Sequence, residues 1–337
     1  MLSVQIESLD MAISTPLTAL LGITHPVLSA PMDVIAGARL TAAVSAAGGF
    51  GILGGGYGDK AWLEQETAKL RGVSDPFGIG FITWSLAKRL ELLDIALAAR
   101  PRAIMLSFGD PNPFAKKIKS TGALLICQVQ DEGMARQALD AGADMLIAQG
   151  SEAGGHGASR ATIDIVPAII DLVAGRVPVA AAGGIGDGRG LAAMMVLGAS
   201  GVLLGTRFYA SAECDGADEA KKRICAATSG NSVRSIIFDL SRNNVWPAPF
   251  NGRCLINDHA RRWMGREVEL MQNISAVAAE YAAARTANNF DVAAVIAGEA
   301  VGLFHDIPPA AVIIDRIVTE ADQILSGRRN SSAESRA

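Results

Sequence analysis

Eight short apolar runs recur along the first two-thirds of the chain, and their spacing restricts the fold more than any other feature. They cover 26–30, 49–54, 77–82, 102–106, 123–128, 145–149, 178–182 and 201–205. None alternates apolar with polar residues, as expected of strands buried on both faces in a helix-covered parallel sheet. The pitch is roughly 25 residues, which accommodates one strand and one crossover helix. Helical patterns fill the gaps. One spans 40–47 before Gly48-Gly49, and another spans 60–71 between Asp59 and Gly72. Asp131 is placed to cap 132–141 before Gly142, and Asp187 to cap 188–197 before Gly198. Side-chain caps at the start and glycine past the end mark helix boundaries. Eight β/α units in series predict an α/β fold, a (β/α)8 TIM barrel; a doubly wound open sheet is the alternative.

The regular pitch stops near Ala210. Residues 213–304 read as an inserted helical subdomain covering the active site, with a loop rich in Asn, Pro and Trp at 243–251. An amphipathic stretch at 307–325 is expected to return as the eighth outer helix. The barrel is therefore assigned to 14–212 plus 305–326, and the polar segment 327–337 to a disordered tail.

Half of the 337 residues are hydrophobic and 19% are charged, enough for one large core. The net charge is −4 and the basic residues are scattered, which excludes a nucleic-acid stripe and points to a small-molecule substrate. Cys127, Cys214, Cys225 and Cys254 form no C-x-x-C pair, so no metal site is expected, and reduced thiols point to a cytoplasmic protein. The first residues lack the basic start and apolar run of a signal peptide. The most apolar stretch, 165–184, is broken by Asp171, Arg176 and Pro178, and reads as a buried helix and strand and not as a membrane span. The sequence leaves a homodimer open.

In such barrels the chemistry lies at the C-terminal ends of the strands, with phosphate commonly bound after the last two. Those positions carry Gly183-Gly184-Ile185-Gly186-Asp187 and Gly205-Thr206-Arg207-Phe208. Glycine lets backbone N–H groups approach a phosphate, the following helix adds its dipole, and Thr206 adds a hydroxyl. Two ordinary tight turns would look the same. Gly49-x-Gly51-x-x-Gly54 mimics a dinucleotide fingerprint, but it falls within a strand instead of following one. After the sixth run comes Gln149-Gly150-Ser151-Glu152-Ala153-Gly154-Gly155-His156-Gly157. A histidine framed by glycines in a loop at this face is a candidate acid, base or anion donor, against the plainer role of ordering the loop. His25, His259 and His305 sit in blander settings.

Taken together, Ala30-Pro31-Met32, the Glu152–His156 loop, Gly183-Gly184-Ile185 and Gly205-Thr206-Arg207-Phe208 resemble the nitronate monooxygenase (2-nitropropane dioxygenase) family over about residues 14–325. The resemblance implies an FMN-dependent enzyme. Ala30, Pro31 and Met32 are then expected against the flavin ring, and Gln128 near its N1/O2 edge, where some members carry lysine. Gln149 and Gly150 are expected along the ribityl chain, Gly183, Gly184, Gly205 and Thr206 at the phosphate, and His156 facing the substrate. Trp84, Tyr209 and Trp246 are candidate pocket walls. Asp33 stands where small residues are common.

The implied reaction is oxidation of alkyl nitronates, or of nitroalkanes after His156 removes the α-proton, with O2 to a carbonyl compound and nitrite. Two alternatives remain at this level: an NAD(P)H-dependent flavin reductase of quinones or enoyl thioesters, and a non-catalytic flavin-binding barrel. A barrel of the inosine-monophosphate dehydrogenase kind needs a nucleophilic cysteine in the sixth loop, and residues 149–160 contain none.

Overall fold

A computed structural model of the chain describes residues 12–327 apart from Val245. The expected tail beyond Gly327 and the first eleven residues lie outside the described residues. Among the described residues eleven strands occur in chain order: β1 (Val27–Ser29), β2 (Gly51–Gly54), β3 (Phe77–Ile82), β4 (Ala103–Ser107), β5 (Leu124–Val129), β6 (Met145–Gln149), β7 (Gly155–Gly157), β8 (Val179–Ala182), β9 (Gly201–Leu204), β10 (Ser232–Ser235) and β11 (Asn251–Leu255). Eight of them pair in parallel in the order β1-β9-β8-β6-β5-β4-β3-β2. A parallel bridge between Leu28 and Phe50 joins the two ends of that sheet. The result is a (β/α)8 TIM barrel, and each of its strands falls on one of the eight apolar runs.

Alternation along the strands sorts their side chains into two layers. Leu28, Phe50, Ile52, Met105, Ile126, Ile147 and Leu203 fill the barrel interior, with Ala103 and Ala180 making room for the larger rings. Their neighbours, among them Val27, Leu53, Ile104, Leu125, Leu146 and Val202, face outward into the core shared with the helices. The expected caps form: Asp59 accepts from Trp62 N at 3.0 Å, Asp131 from Met134 N at 2.7 Å and Asp187 from Gly190 N at 3.2 Å. The last helix, Ala310–Leu325, lies against the helices Gly188–Val196 and Ala38–Ala46 and so completes the outer ring.

The intervening segment, expected as a helical subdomain over 213–304, also contains strands. It holds helices such as Ile237–Ser241 and Ile274–Thr286, but also β10 and β11. These two strands pair antiparallel, and β11 pairs antiparallel with β7, so the histidine loop after β6 is itself a strand. Ser-Val-Arg-Ser and Asn-Gly-Arg-Cys-Leu carry little intrinsic strand signal; a distant partner makes them strands. The segment has its own small core of Ile237, Phe238, Trp263, Leu270, Val277 and Tyr281. Among the described residues no helix is long and apolar enough to cross a membrane.

The chain after β1 crosses the barrel mouth close to β2 and β3. A Cβ on Gly54 would stand 2.4 Å from the Met32 carbonyl oxygen, and one on Gly80 2.5 Å from the Pro31 ring. Gly54→Ala is therefore expected to lower the free energy of unfolding by about 2 kcal/mol or more, because a backbone atom cannot yield as a side chain can. A denaturant midpoint unchanged from wild type would contradict that packing.

Candidate active site

The turn after β8 runs through Gly183 at φ 115° and Gly184 at φ 71°, conformations that side-chain-bearing residues rarely adopt. Gly183 lies against Gly150, whose N–H donates to the Ala182 carbonyl at 2.8 Å. Thr162 stitches this region together, its hydroxyl lying 2.8 Å from the Glu152 carboxylate and 3.1 Å from the Gly183 carbonyl. At the end of β9, Gly205 opens towards Ala30 and Met32: a Cβ there would meet Ala30 Cβ at 3.6 Å and Met32 Sδ at 4.0 Å. Thr206 Oγ1 accepts from Gly298 N at 2.9 Å, which leaves its own O–H to donate elsewhere. Backbone turns without side chains, a hydroxyl donor and an apolar floor at Ala30 and Met32 suit a phosphate joined to a flat ring, as in FMN.

Three glutamines occupy the same mouth. By strand parity with Ile126 and Ile147, Gln128 and Gln149 lie on the inner face at the ends of β5 and β6. Gln130 Nε2 donates to Gln149 Oε1 at 2.8 Å, and Gln149 Nε2 donates to the His156 carbonyl at 3.1 Å. The Gln149 amide therefore spends both its ends on protein, and its side chain secures β7. Gln130 is 1% exposed, yet its Oε1 has no partner among the described residues. A buried acceptor left alone is costly, and a donor from a bound ligand would satisfy it.

His156 is buried, and glycine neighbours supply none of its walls. The Trp246 ring does, stacking on it with centroids 3.5 Å apart and planes 6° from parallel. His156 Nε2 lies 2.9 Å from Asp239 Oδ2 and 3.1 Å from Oδ1, and Asp239 also pairs with Arg242 three residues on. Burial pulls the His156 imidazole below its ordinary value; the hydrogen bond and charge of Asp239 oppose this, while Arg242 and Arg234 reinforce it. Behind the loop, Arg234 donates to the carbonyls of Ser151, Ala153, Gly155, Gly157 and Asn251, the last at 2.5 Å. Burial pushes its guanidinium down to about 10.

Trp84 and Trp246 belong to one aromatic cluster. Their centroids are 5.4 Å apart, Phe108 lies 5.1 Å from both Trp246 and Phe250, and Trp246 Nε1 donates to the Tyr57 hydroxyl at 2.9 Å. Burial raises the Tyr57 phenol to about 12, so it remains a neutral partner for Trp246. Tyr209 does not belong here. Its ring fills the space left by Gly216 in the main core beside Cys214, which corrects its expected place in the pocket wall. Asp239, Arg242, Arg234, Tyr57, Phe108 and Phe250 escape the sequence reading. Phe108 alone had a visible signal, an aromatic just past a barrel strand, and it holds a left-handed φ of 67°.

Glycine turns, apolar floor and buried histidine agree with the class of protein that the relatives of this chain define, the FMN-dependent oxidoreductases. A family model described as nitronate monooxygenase matches residues 14–89 and 81–320, and the chain belongs to that family. A nitronate monooxygenase of Metarhizium robertsii is 34% identical, over 89% of this chain and 92% of its own length. A (3aS,4S,5R,7aS)-5-hydroxy-7a-methyl-1-oxo-octahydro-1H-indene-4-carboxyl-CoA dehydrogenase of Mycobacterium tuberculosis is 30% identical, over 92% and 97%. Among solved structures, FabK from Thermotoga maritima superposes with a TM-score of 0.83 at 30% identity, over 94% of this chain and 99% of its own. A nitroalkane oxidase from Streptomyces ansochromogenes, at 23% identity and a TM-score of 0.76, shares the fold.

The free Thr206 hydroxyl gives an expected outcome. Thr206→Val weakens FMN binding about tenfold, the worth of one hydrogen bond to a charged group, while Thr206→Ser stays within about twofold. Titrating apoprotein into FMN and following flavin fluorescence measures both; equal affinities for Val and wild type would remove Thr206 from the cradle.

Proposed function

We propose that the chain oxidises alkyl nitronates, and neutral nitroalkanes after losing their α-proton to His156, with O2 to a carbonyl compound and nitrite. The observation that carries this reading is a buried histidine stacked on Trp246 at the mouth of the barrel, with burial pulling its imidazole below the ordinary value. FMN, when bound, accepts electrons from the substrate and passes them on to O2. The protein's own part is to hold the reactants and manage one proton. Gly183, Gly184, Gly205 and Thr206 would hold the FMN phosphate, Ala30, Pro31 and Met32 would form the floor under the ring, and Gln128 and Gly150 would line its approach.

Trp246 stacks on His156 and meets Trp84 and Phe108 at centroid distances of 5.4 and 5.1 Å. A small substrate fits such a cage. The name of the Mycobacterium tuberculosis relative carries a bulkier, bicyclic acyl group. That relative is nevertheless the observation favouring a second reading, an oxidoreductase of acyl thioesters, in which His156 takes a hydroxyl proton.

A base must be uncharged to act, and an imidazole pulled below its ordinary value of 6.5 keeps that form to lower pH. Nitroalkane turnover is thus expected to lose its acid limb only below that value. His156→Asn is expected to cut nitroalkane turnover by about 100-fold or more, with a smaller loss for pre-formed nitronate, which has no proton to give. Nitrite release and O2 uptake report both activities. Rapid anaerobic bleaching of the flavin by NADH, with no nitrite from any nitronate, would overturn the proposal in favour of a reductase.

A further inference from the structure

We infer that Asp239, on the segment covering the barrel mouth, is a positioning residue that fixes the tautomer of His156 and leaves Nδ1 as the proton-accepting nitrogen. The inference deepens the function proposed above and rests on His156 being its base. An ionised carboxylate only accepts hydrogen bonds, and Asp239 presents both oxygens to Nε2, at 2.9 and 3.1 Å. The single proton of a neutral imidazole therefore sits on Nε2. Nδ1 keeps its lone pair and has no protein partner among the described residues. Burial keeps the ring uncharged, in agreement with this assignment.

Two further contacts make the arrangement rigid. The parallel stack on Trp246, at 3.5 Å, stops the imidazole from turning about its ring bond. Arg242, three residues beyond Asp239, holds the carboxylate from its other side. The charged groups facing His156 are Asp239 and Arg242 from the helix Ile237–Ser241 and its end, and Arg234 from β10. His156 itself stands on β7, tied by Gln149 and Arg234. The base is thus assembled from two parts of the chain: the barrel loop supplies the ring, and the covering segment supplies its orientation and protonation state.

In the step this allows, the α-C–H bond of a nitroalkane breaks and its proton passes to Nδ1. The electron pair becomes the C=N bond of the nitronate, whose charge rests on the nitro oxygens. The imidazolium formed keeps its Nε2 proton on Asp239, which stabilises the new charge.

The test uses the full-length, FMN-loaded enzyme and Asp239→Asn. The chain has four histidines, so 15N-histidine labelling with long-range 15N–1H correlation resolves each ring, and the signal lost in His156→Gln assigns His156. Wild type is expected to show a protonated Nε2 and a bare Nδ1; Asp239→Asn is expected to shift the proton to Nδ1 or mix the tautomers, and Asp239→Glu to restore the wild-type pattern. Nitroalkane kcat is expected to fall about 100-fold in Asp239→Asn, against less than tenfold for nitronate. Its acid limb moves further down in pH, because a group that raises the imidazole pKa has gone. An unchanged tautomer, or equal losses on both substrates, would overturn the inference. A shifted tautomer in a protein whose wild type oxidises neither substrate would leave the positioning role intact and remove the nitronate reading instead.

Discussion

The guanidinium of Arg234 joins the barrel to the segment that covers it. It donates to four carbonyls of the loop after β6 and to one on β11, and none of these partners is charged. Burying a cation without a carboxylate is expensive, and the depressed guanidinium records that cost. Five carbonyl dipoles converging on its planar fork offset it. What results is conformational: the glycine-rich loop, which alone has little reason to adopt one shape, is pulled into β7 and pairs with β11, placing His156 opposite Gly252. Arg253 adds to the same knot through Ser151 O at 3.0 Å and Glu299 at 2.7 Å.

Once the loop is fixed, the state of His156 follows from a contest between burial and charge. Asp239 alone would raise the imidazole, as a carboxylate 2.9 Å away ordinarily does. Desolvation under Trp246 works against it, and Arg242 and Arg234 nearby make a third positive charge unwelcome. Burial wins, and the ring stays neutral and hydrogen-bonded. The same principle keeps the Tyr57 phenol protonated. The mouth is consequently a place where a charged product of proton removal costs more than in water, unless its partners are already aligned.

How much of this was legible in the sequence depended on distance along the chain. The barrel strands and the caps at Asp59, Asp131 and Asp187 are local and read correctly, because each needs only neighbouring residues. Gly183 and Gly184 announced a turn that others could not make. His156 announced chemistry, but its setting was invisible: Asp239 lies 83 residues away, and Trp246 meets a tyrosine 189 residues off. β10 and β11 were missed for the same reason, since strands this short are defined by their partners. Tyr209 misled in the opposite direction. It was expected as a pocket wall, whereas the vacant side-chain space at Gly216 takes its ring into the core.

That division bears on why relatives sharing this barrel carry different reaction names. The glycine turns and the floor at Ala30 and Met32 suit a flavin phosphate in general, and similarity of about 30% is compatible with both a nitronate monooxygenase and an indene-carboxyl-CoA dehydrogenase. On the proposed function, the reaction is chosen above that mouth, by the aromatic group of Tyr57, Trp84, Phe108, Trp246 and Phe250 beside the imidazole and by Asp239 on its Nε2. Trp246 does both: it closes the cage and holds the His156 ring flat. Widening the cage for a larger substrate would therefore also loosen the base. A chain that kept Asp239 while losing the tryptophan would give up rigidity before it gave up charge. On the proposed function, substrate size and proton management are coupled through this one stacked pair.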